Sequence, residues 1–188
     1  MTDVDRAFRP HGWGPAVAVT LTIVALTVGG RVVAAAVQDT AGAPVGIPSV
    51  ATVHPPRGWT VDADDRRPDD DTSRSVLTKG SAVVVVTAFA DAGVDLPTLM
   101  AVYEDGVLAP RLLHLATTDV TSFAVGGLPG LRLVYVGRSA ARAPVEGVVL
   151  ATVGPSGAGL VIEATAPESV LASVAADIAA MAAGARVA

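Results

Sequence analysis

The stretch from Pro15 to Gly30, PAVAVTLTIVALTVGG, carries no charged residue, and after Arg31 the run VVAAAV extends its apolar character to Val37. A helix that crosses the ~30 Å hydrocarbon core of a bilayer needs ~20 mostly apolar residues. Residues 14–37 reach that length with one charge near the far end, so the sequence predicts a transmembrane helix there. Trp13 stands where an interfacial aromatic belongs, and Pro15 suits a first helical turn. The Arg31 side chain is long enough to snorkel to the outer interface. Ala25 and Gly29 form a small-xxx-small face on which a second helix would approach closely.

Arg6 and Arg9 precede this segment, and the next positive charge after Arg31 is Arg57. The positive-inside rule therefore places residues 1–13 in the cytoplasm and the rest of the chain outside, as a single-pass cell-membrane protein. The rival reading is a cleaved signal peptide, for which Ala34-Ala35-Ala36 offers a small-residue cleavage site. The uncharged core exceeds the usual 7–15-residue signal h-region, which favours an uncleaved anchor. Both readings export the domain that follows.

Cysteine is absent, which removes disulfide scaffolds, thiolate metal sites and cysteine nucleophiles. The formal net charge is −5 and no basic run occurs, so the chain lacks the clustered cations that a nucleic-acid surface requires. Aromatic residues make up only 4%, so the core must be built from aliphatic side chains.

Residues 38–49 mix Gly, Pro and small residues and read as a linker, leaving 50–188 as an extracytoplasmic domain. Its strands are expected at residues 49–54, 59–61, 75–78, 82–90, 121–125, 131–137, 145–153 and 160–165. The polar run 62–73 between them reads as a solvated loop. Asp95 is a plausible N-cap, with Pro97 in the first turn, for a helix over 96–108 that buries Leu96, Leu99, Met100, Tyr103 and Val107. A second helix is expected from Pro167-Glu168 to Ala183, stopped at Gly184 and buried along Val170, Leu171, Val174, Ile178 and Met181. Consecutive strands with short turns imply an antiparallel sheet, here covered by two helices: an α+β domain.

Three segments carry a resemblance. They are Pro55-Pro56-Arg57-Gly58-Trp59, then Gly127-Leu128-Pro129-Gly130-Leu131-Arg132 leading into Val134-Tyr135, and Ala164-Thr165-Ala166-Pro167 before the last helix. In this order they resemble the Mog1/PsbP-like α/β sandwich, in particular its exported, envelope-tethered relatives in high-GC Gram-positive bacteria. The resemblance spans about 50–183 and rests on turn and packing patterns. It implies accessory or binding roles in membrane assemblies, while a fold alone does not give a function.

No catalytic, cofactor-binding or metal set emerges from the spacing. His11, His54 and His114 lack ligand spacing, and zinc needs three or four ligands. Asp62, Asp64, Asp65, Asp69, Asp70 and Asp71 match no calcium loop and are interrupted by Arg66 and Arg67. Ser156 sits in a Pro-Ser-Gly turn between strands, without the strand-to-helix context of a nucleophile elbow. Glu104, Asp105, Glu146 and Glu163 are the acids on which a paired-carboxylate mechanism would draw, and their sequence surroundings resemble those of surface acids. Trp59 either packs over a sheet edge, the favoured reading, or lines a groove with Tyr103 or Tyr135.

The expected function is a membrane-tethered binding or accessory module of the cell envelope, non-catalytic and serving a protein partner there. The alternative is a structural subunit of a membrane complex that contacts its partners through the transmembrane helix. An envelope hydrolase comes third. A reporter fused after Ala188 is expected to be active only outside the cytoplasm. A cytoplasm-active fusion would reverse the orientation drawn from Arg6 and Arg9.

Overall fold

The computed structural model describes residues 42–65 and 71–188, without the side chains of 63–65. The segment expected to cross the membrane, together with its flanking charges, lies outside the described residues. Among the described residues no helix is long and apolar enough to cross a membrane.

The centre of the domain is an eight-stranded antiparallel sheet. Its strands are β3 (Thr60–Asp65), β4 (Thr72–Lys79), β5 (Ala82–Phe89), β6 (Leu113–Thr117), β7 (Thr121–Val125), β8 (Leu128–Arg138), β9 (Pro144–Val153) and β10 (Gly159–Pro167). They lie in the order β3-β4-β5-β10-β9-β8-β6, and the outer edge of β8 is shared end to end. There β7 pairs with Leu128–Arg132 and β6 with Tyr135–Arg138.

Alternation along each strand sends side chains to two different layers. In β5, Ala82, Val84, Val86 and Ala88 join one core, while Val85 lies buried on the opposite face. The first face is covered by helix α2 (Leu171–Ala183) and by a second, three-stranded sheet. That small sheet consists of β1 (Val45–Ile47), β2 (Ala51–Val53) and β11 (Arg186–Val187), in the order β1-β2-β11. The other face is covered by helix α1 (Leu96–Tyr103), which packs Leu99, Met100 and Tyr103 over Leu133, Tyr135, Val149 and Val161.

The sequence reading needs several corrections. The linker assigned to 38–49 contains β1, whose Val45 is buried in the core, so the folded part begins before residue 50. A three-residue strand between Pro44 and Pro48, with Gly46 at its centre, is too short to show periodicity, although its hairpin with β2 is local, Ile47 standing opposite Ala51. The solvated loop assigned to 62–73 is shorter, because β3 runs to Asp65 and β4 begins at Thr72. Strands β6 and β11 add to the strands expected from the sequence.

Helix α2 begins at Leu171, since Pro167 still belongs to β10 and Ser169 takes a left-handed turn at φ 70°. Its first turn is served by a neighbour: the Leu171 N–H donates to Glu146 Oε1 at 3.2 Å. Gly184 ends the helix at φ −86°, not in the left-handed conformation.

Asp95 caps α1 as expected, accepting from the Thr98 N–H at 2.9 Å. The expected apolar stripe fails at its last member, and the reason is local. From Glu104 to Leu108 the helix widens into one π turn, closed by the Ala109 N–H donating to the Glu104 carbonyl, before a final turn over Ala109–Arg111. The wider turn advances the buried position by one residue, so Leu108 is buried and Val107 is exposed.

Trp59 packs against the core on the α2 side, and its Nε1–H donates to Asp177 Oδ2 at 2.9 Å. Lys79, the chain's one lysine, donates to the same oxygen at 2.6 Å. Asp177 thus ties α2 to the β3–β4 end of the sheet. Asp177→Ala is expected to cost about 1–2 kcal/mol, read as a lower urea midpoint. Trp59 emission should shift to the red in a Trp13→Phe background.

Candidate functional site

Glu163 stands in an otherwise apolar run of β10, on the face covered by α1, and is completely buried. A buried carboxylate is costly unless it is paired and hydrogen-bonded. Here Arg111 supplies the charge from the end of the α1 segment, its Nη2 donating to Glu163 Oε1. The Tyr103 hydroxyl donates to Oε2 at 2.8 Å, and the Tyr135 hydroxyl donates to Oε1 at 2.6 Å. The Thr165 hydroxyl adds a fourth bond at 3.0 Å.

The donors come from the α1 segment, from β8 and from β10 itself. Tyr103 and Arg111 lie on either side of the π turn, which sets the angle between them. Tyr135 reaches Glu163 across β9, where Gly147 has no Cβ; an added one would run into the Tyr135 ring and the Ala164 carbonyl.

Burial alone would push the Glu163 carboxyl up. The Arg111 and Tyr135 hydrogen bonds, with the Arg111 charge, outweigh burial and hold it below the usual carboxylate range. Burial, followed by the Glu163 charge, pushes both phenols well above their ordinary values. Glu163 is therefore ionised, and both tyrosines are neutral donors, throughout the physiological pH range. A carboxylate so encircled is poorly placed to exchange protons, and its role is to hold α1 on the sheet.

That attachment leaves part of the sheet uncovered. α1 lies over β8, β9 and β10, and beyond it a cavity of about 590 Å³ opens against β4 and β5. Phe89, Val94, Leu99, Val102 and Val107 are among the residues that wall it. Val102 is 59% exposed, Val94 40% and Val107 37%, an unusual concentration for large aliphatic side chains in so small an area. Arg74 from β4 and Arg111 are the only charged residues among the described residues that line it.

The other candidates from the sequence are scattered. His54 follows β2 and His114 lies exposed on β6, while His11 is outside the described residues. Among the described residues no group of three His, Asp or Glu side chains is placed to hold a metal. Of the loop acids, Asp62, Asp64 and Asp65 belong to β3, Asp71 is exposed, and Asp69 and Asp70 lie outside the described residues. The Ser156 hydroxyl ties the β9–β10 turn to the segment after β11 by donating to the Ala188 carbonyl at 2.7 Å.

The four acids considered for a carboxylate pair do not converge. Glu104 and Asp105 sit on the π turn, where Glu104 accepts from Thr117 Oγ1 at 2.9 Å. Glu146 serves α2 on the face opposite Glu163. Trp59 does not meet Tyr103 or Tyr135, which face the other layer. The two tyrosines meet each other instead, through Glu163. The signal for this was a lone carboxylate inside the apolar run 160–164, since a charge in such a strand demands a partner.

No protein-family model and no curated protein matches the sequence. Among solved structures the chain is similar to the Ran-binding protein Mog1p of Saccharomyces cerevisiae, at 13% identity over 77% of this chain and 95% of that one, with a TM-score of 0.48. It is similar to cyanobacterial PsbP from Synechocystis, at 12% identity over 73% of this chain and 86% of that one, TM-score 0.48. It is also similar to LpqN of Mycobacterium tuberculosis, a protein involved in cell envelope biogenesis, at 18% identity over 78% and 90%, TM-score 0.48. The likeness is to the Mog1/PsbP-like fold, the family that the sequence resembles.

Arg111→Ala leaves the Glu163 charge buried without its cation and is expected to cost about 2–4 kcal/mol at neutral pH, less than a fully enclosed pair because Arg111 is partly in water. Glu163→Gln removes the charge with its partner left solvated and should cost about 1–2 kcal/mol. The pH dependence separates them. In the wild type the carboxyl is held low, so its contribution is present above the unfolded value and lost as pH falls through the folded one. Without Arg111, burial raises that carboxyl, and stability should increase from pH 7 to pH 4. Urea titrations across that range check the sign.

Proposed function

We propose that this chain is a non-catalytic binding or accessory module of the cell envelope, tethered to the membrane by residues 14–37 with its α+β domain outside. On this reading residues 1–13 are cytoplasmic, a short linker precedes β1, and the domain works beside a protein partner in the envelope. The observation that carries the binding role is the cleft beside α1. There Val94, Val102 and Val107 stand exposed next to Phe89. A pocket of several hundred cubic ångströms with apolar walls and few polar groups has the form of a ligand site.

The absence of catalysis is supported by the chemistry of Glu163, the carboxylate paired with the cleft-lining Arg111. Glu163 accepts from Arg111, Tyr103, Tyr135 and Thr165, and its carboxyl is held low, which suits neither a general acid nor a base working near neutral pH. The tether is supported by the apolar run and by the arginines before it.

The test uses the full-length chain incubated with envelope material from its own source. No product should be released beyond that seen without protein, and Glu163→Gln should give the same profile. Product release by the wild type that a folded Glu163→Gln variant abolishes would make the chain a hydrolase.

A further inference from the structure

The cleft differs from the rest of the domain in the sign of its charge. The chain as a whole is acidic, at −5, yet the charged side chains among the described residues lining the cleft are Arg74 and Arg111. Arg74 is exposed on β4, opposite Thr87 of β5. Arg111 gives Nη2 to Glu163 and remains 38% exposed, which leaves further guanidinium N–H groups at the surface of the cavity. Between the apolar wall and these two cations the cleft is amphipathic, and its volume of about 590 Å³ accommodates one aliphatic chain with its head group.

We propose that the cleft between α1 and strands β4 and β5 binds a single-chain amphiphile with an anionic head group. The aliphatic chain lies against Phe89, Val94, Val102 and Val107, and the anion pairs with Arg74 and Arg111. This rests on the reading of the domain as a binding module and names the ligand class for its cleft. Guanidinium groups match a carboxylate or a phosphate in the same forked geometry, so either anion satisfies the site. Burial of the chain supplies affinity, and the arginines supply selection of the head. Arg111 serves two anions at once, Glu163 permanently and the ligand from outside. The buried ion pair therefore also orients the guanidinium that meets the ligand's anion.

The test uses the full-length protein in nanodiscs of zwitterionic lipid, with photoactivatable hexadecyl probes whose attachment points are mapped by mass spectrometry. Mapping separates labelling of the cleft from labelling of the apolar N-terminal segment. Four probes share the chain and differ in the head: carboxylate, phosphate, alcohol and trimethylammonium. The carboxylate or the phosphate, or both, should label residues 86–111 about tenfold more than the alcohol or the cation does, equivalent to about 1.4 kcal/mol of head-group selection. Which anion labels more strongly separates a fatty-acid type of ligand from a single-chain lysophospholipid type.

Arg74→Gln and Val102→Asp change exposed side chains, and each should remove most of the anionic labelling without lowering the melting temperature. Equal labelling of the cleft by the alcohol would overturn the anion selectivity and leave the cleft as a binding site. Labelling of the cleft by none of the probes would overturn both this ligand and the binding role of the cleft.

Discussion

A carboxylate inside a sheet cannot be left alone, and much of this domain is arranged around that of Glu163. Its partners come from three elements: Arg111 and Tyr103 from the α1 segment, Tyr135 from β8 and Thr165 from its own strand β10. Supplying them fixes where α1 lies, over β8, β9 and β10. The π turn follows from the same demand. With Tyr103 and Leu108 five residues apart and both buried, an α-helical continuation would have turned Leu108 away from the sheet. Gly147 has no side chain because the Tyr135 ring occupies the space above it. The cleft is the remainder: a helix held at one side of an eight-stranded sheet leaves the β4–β5 side open.

The opposite face is governed mainly by aliphatic packing, into which Ser73, Ser75, Arg132 and Thr152 are also buried. There the small sheet and α2 share one core with Val84, Val86, Val148, Leu150, Leu160 and Ile162. Further polar ties sit at its margins, where Asp177 gathers Trp59 and Lys79 and Glu146 serves the first turn of α2. The two faces thus divide the work. One is a closed core that stabilises the domain, and the other is a half-covered surface whose ion pair is exposed on one side to solvent.

That division bears on how a ligand would be felt. An anion at Arg111 competes for the charge that compensates Glu163, so occupancy of the cleft and the attachment of α1 are energetically linked. Two tyrosine hydroxyls keep the carboxylate satisfied while the guanidinium is shared.

Much of the architecture is legible in the residues themselves. Alternation and β-branched runs mark β5, β8, β9 and β10. Asp95 and Pro97 mark the start of α1, and the apolar stripe of α2 is visible from Leu171 to Met181. These are local signals, carried by residues within one element. The strands without a periodic signal, β1, β6 and β11, are short: β6 and β11 exist through partners distant in sequence, β8 and β2, and β1 through a tight hairpin with β2 too brief to show alternation. The candidate site escaped for a related reason. Glu163 could be recognised as a charge in need of a partner, but Arg111 lies 52 positions away and Tyr135 28. The sequence by itself determined an apolar segment of membrane-spanning length, an α+β domain and a core built from aliphatic side chains. Only the tertiary structure decided which side chains meet Glu163 and that α1 stops short of β4 and β5, because long-range charge compensation and helix placement are set by packing between elements and leave no trace in the period of any one of them.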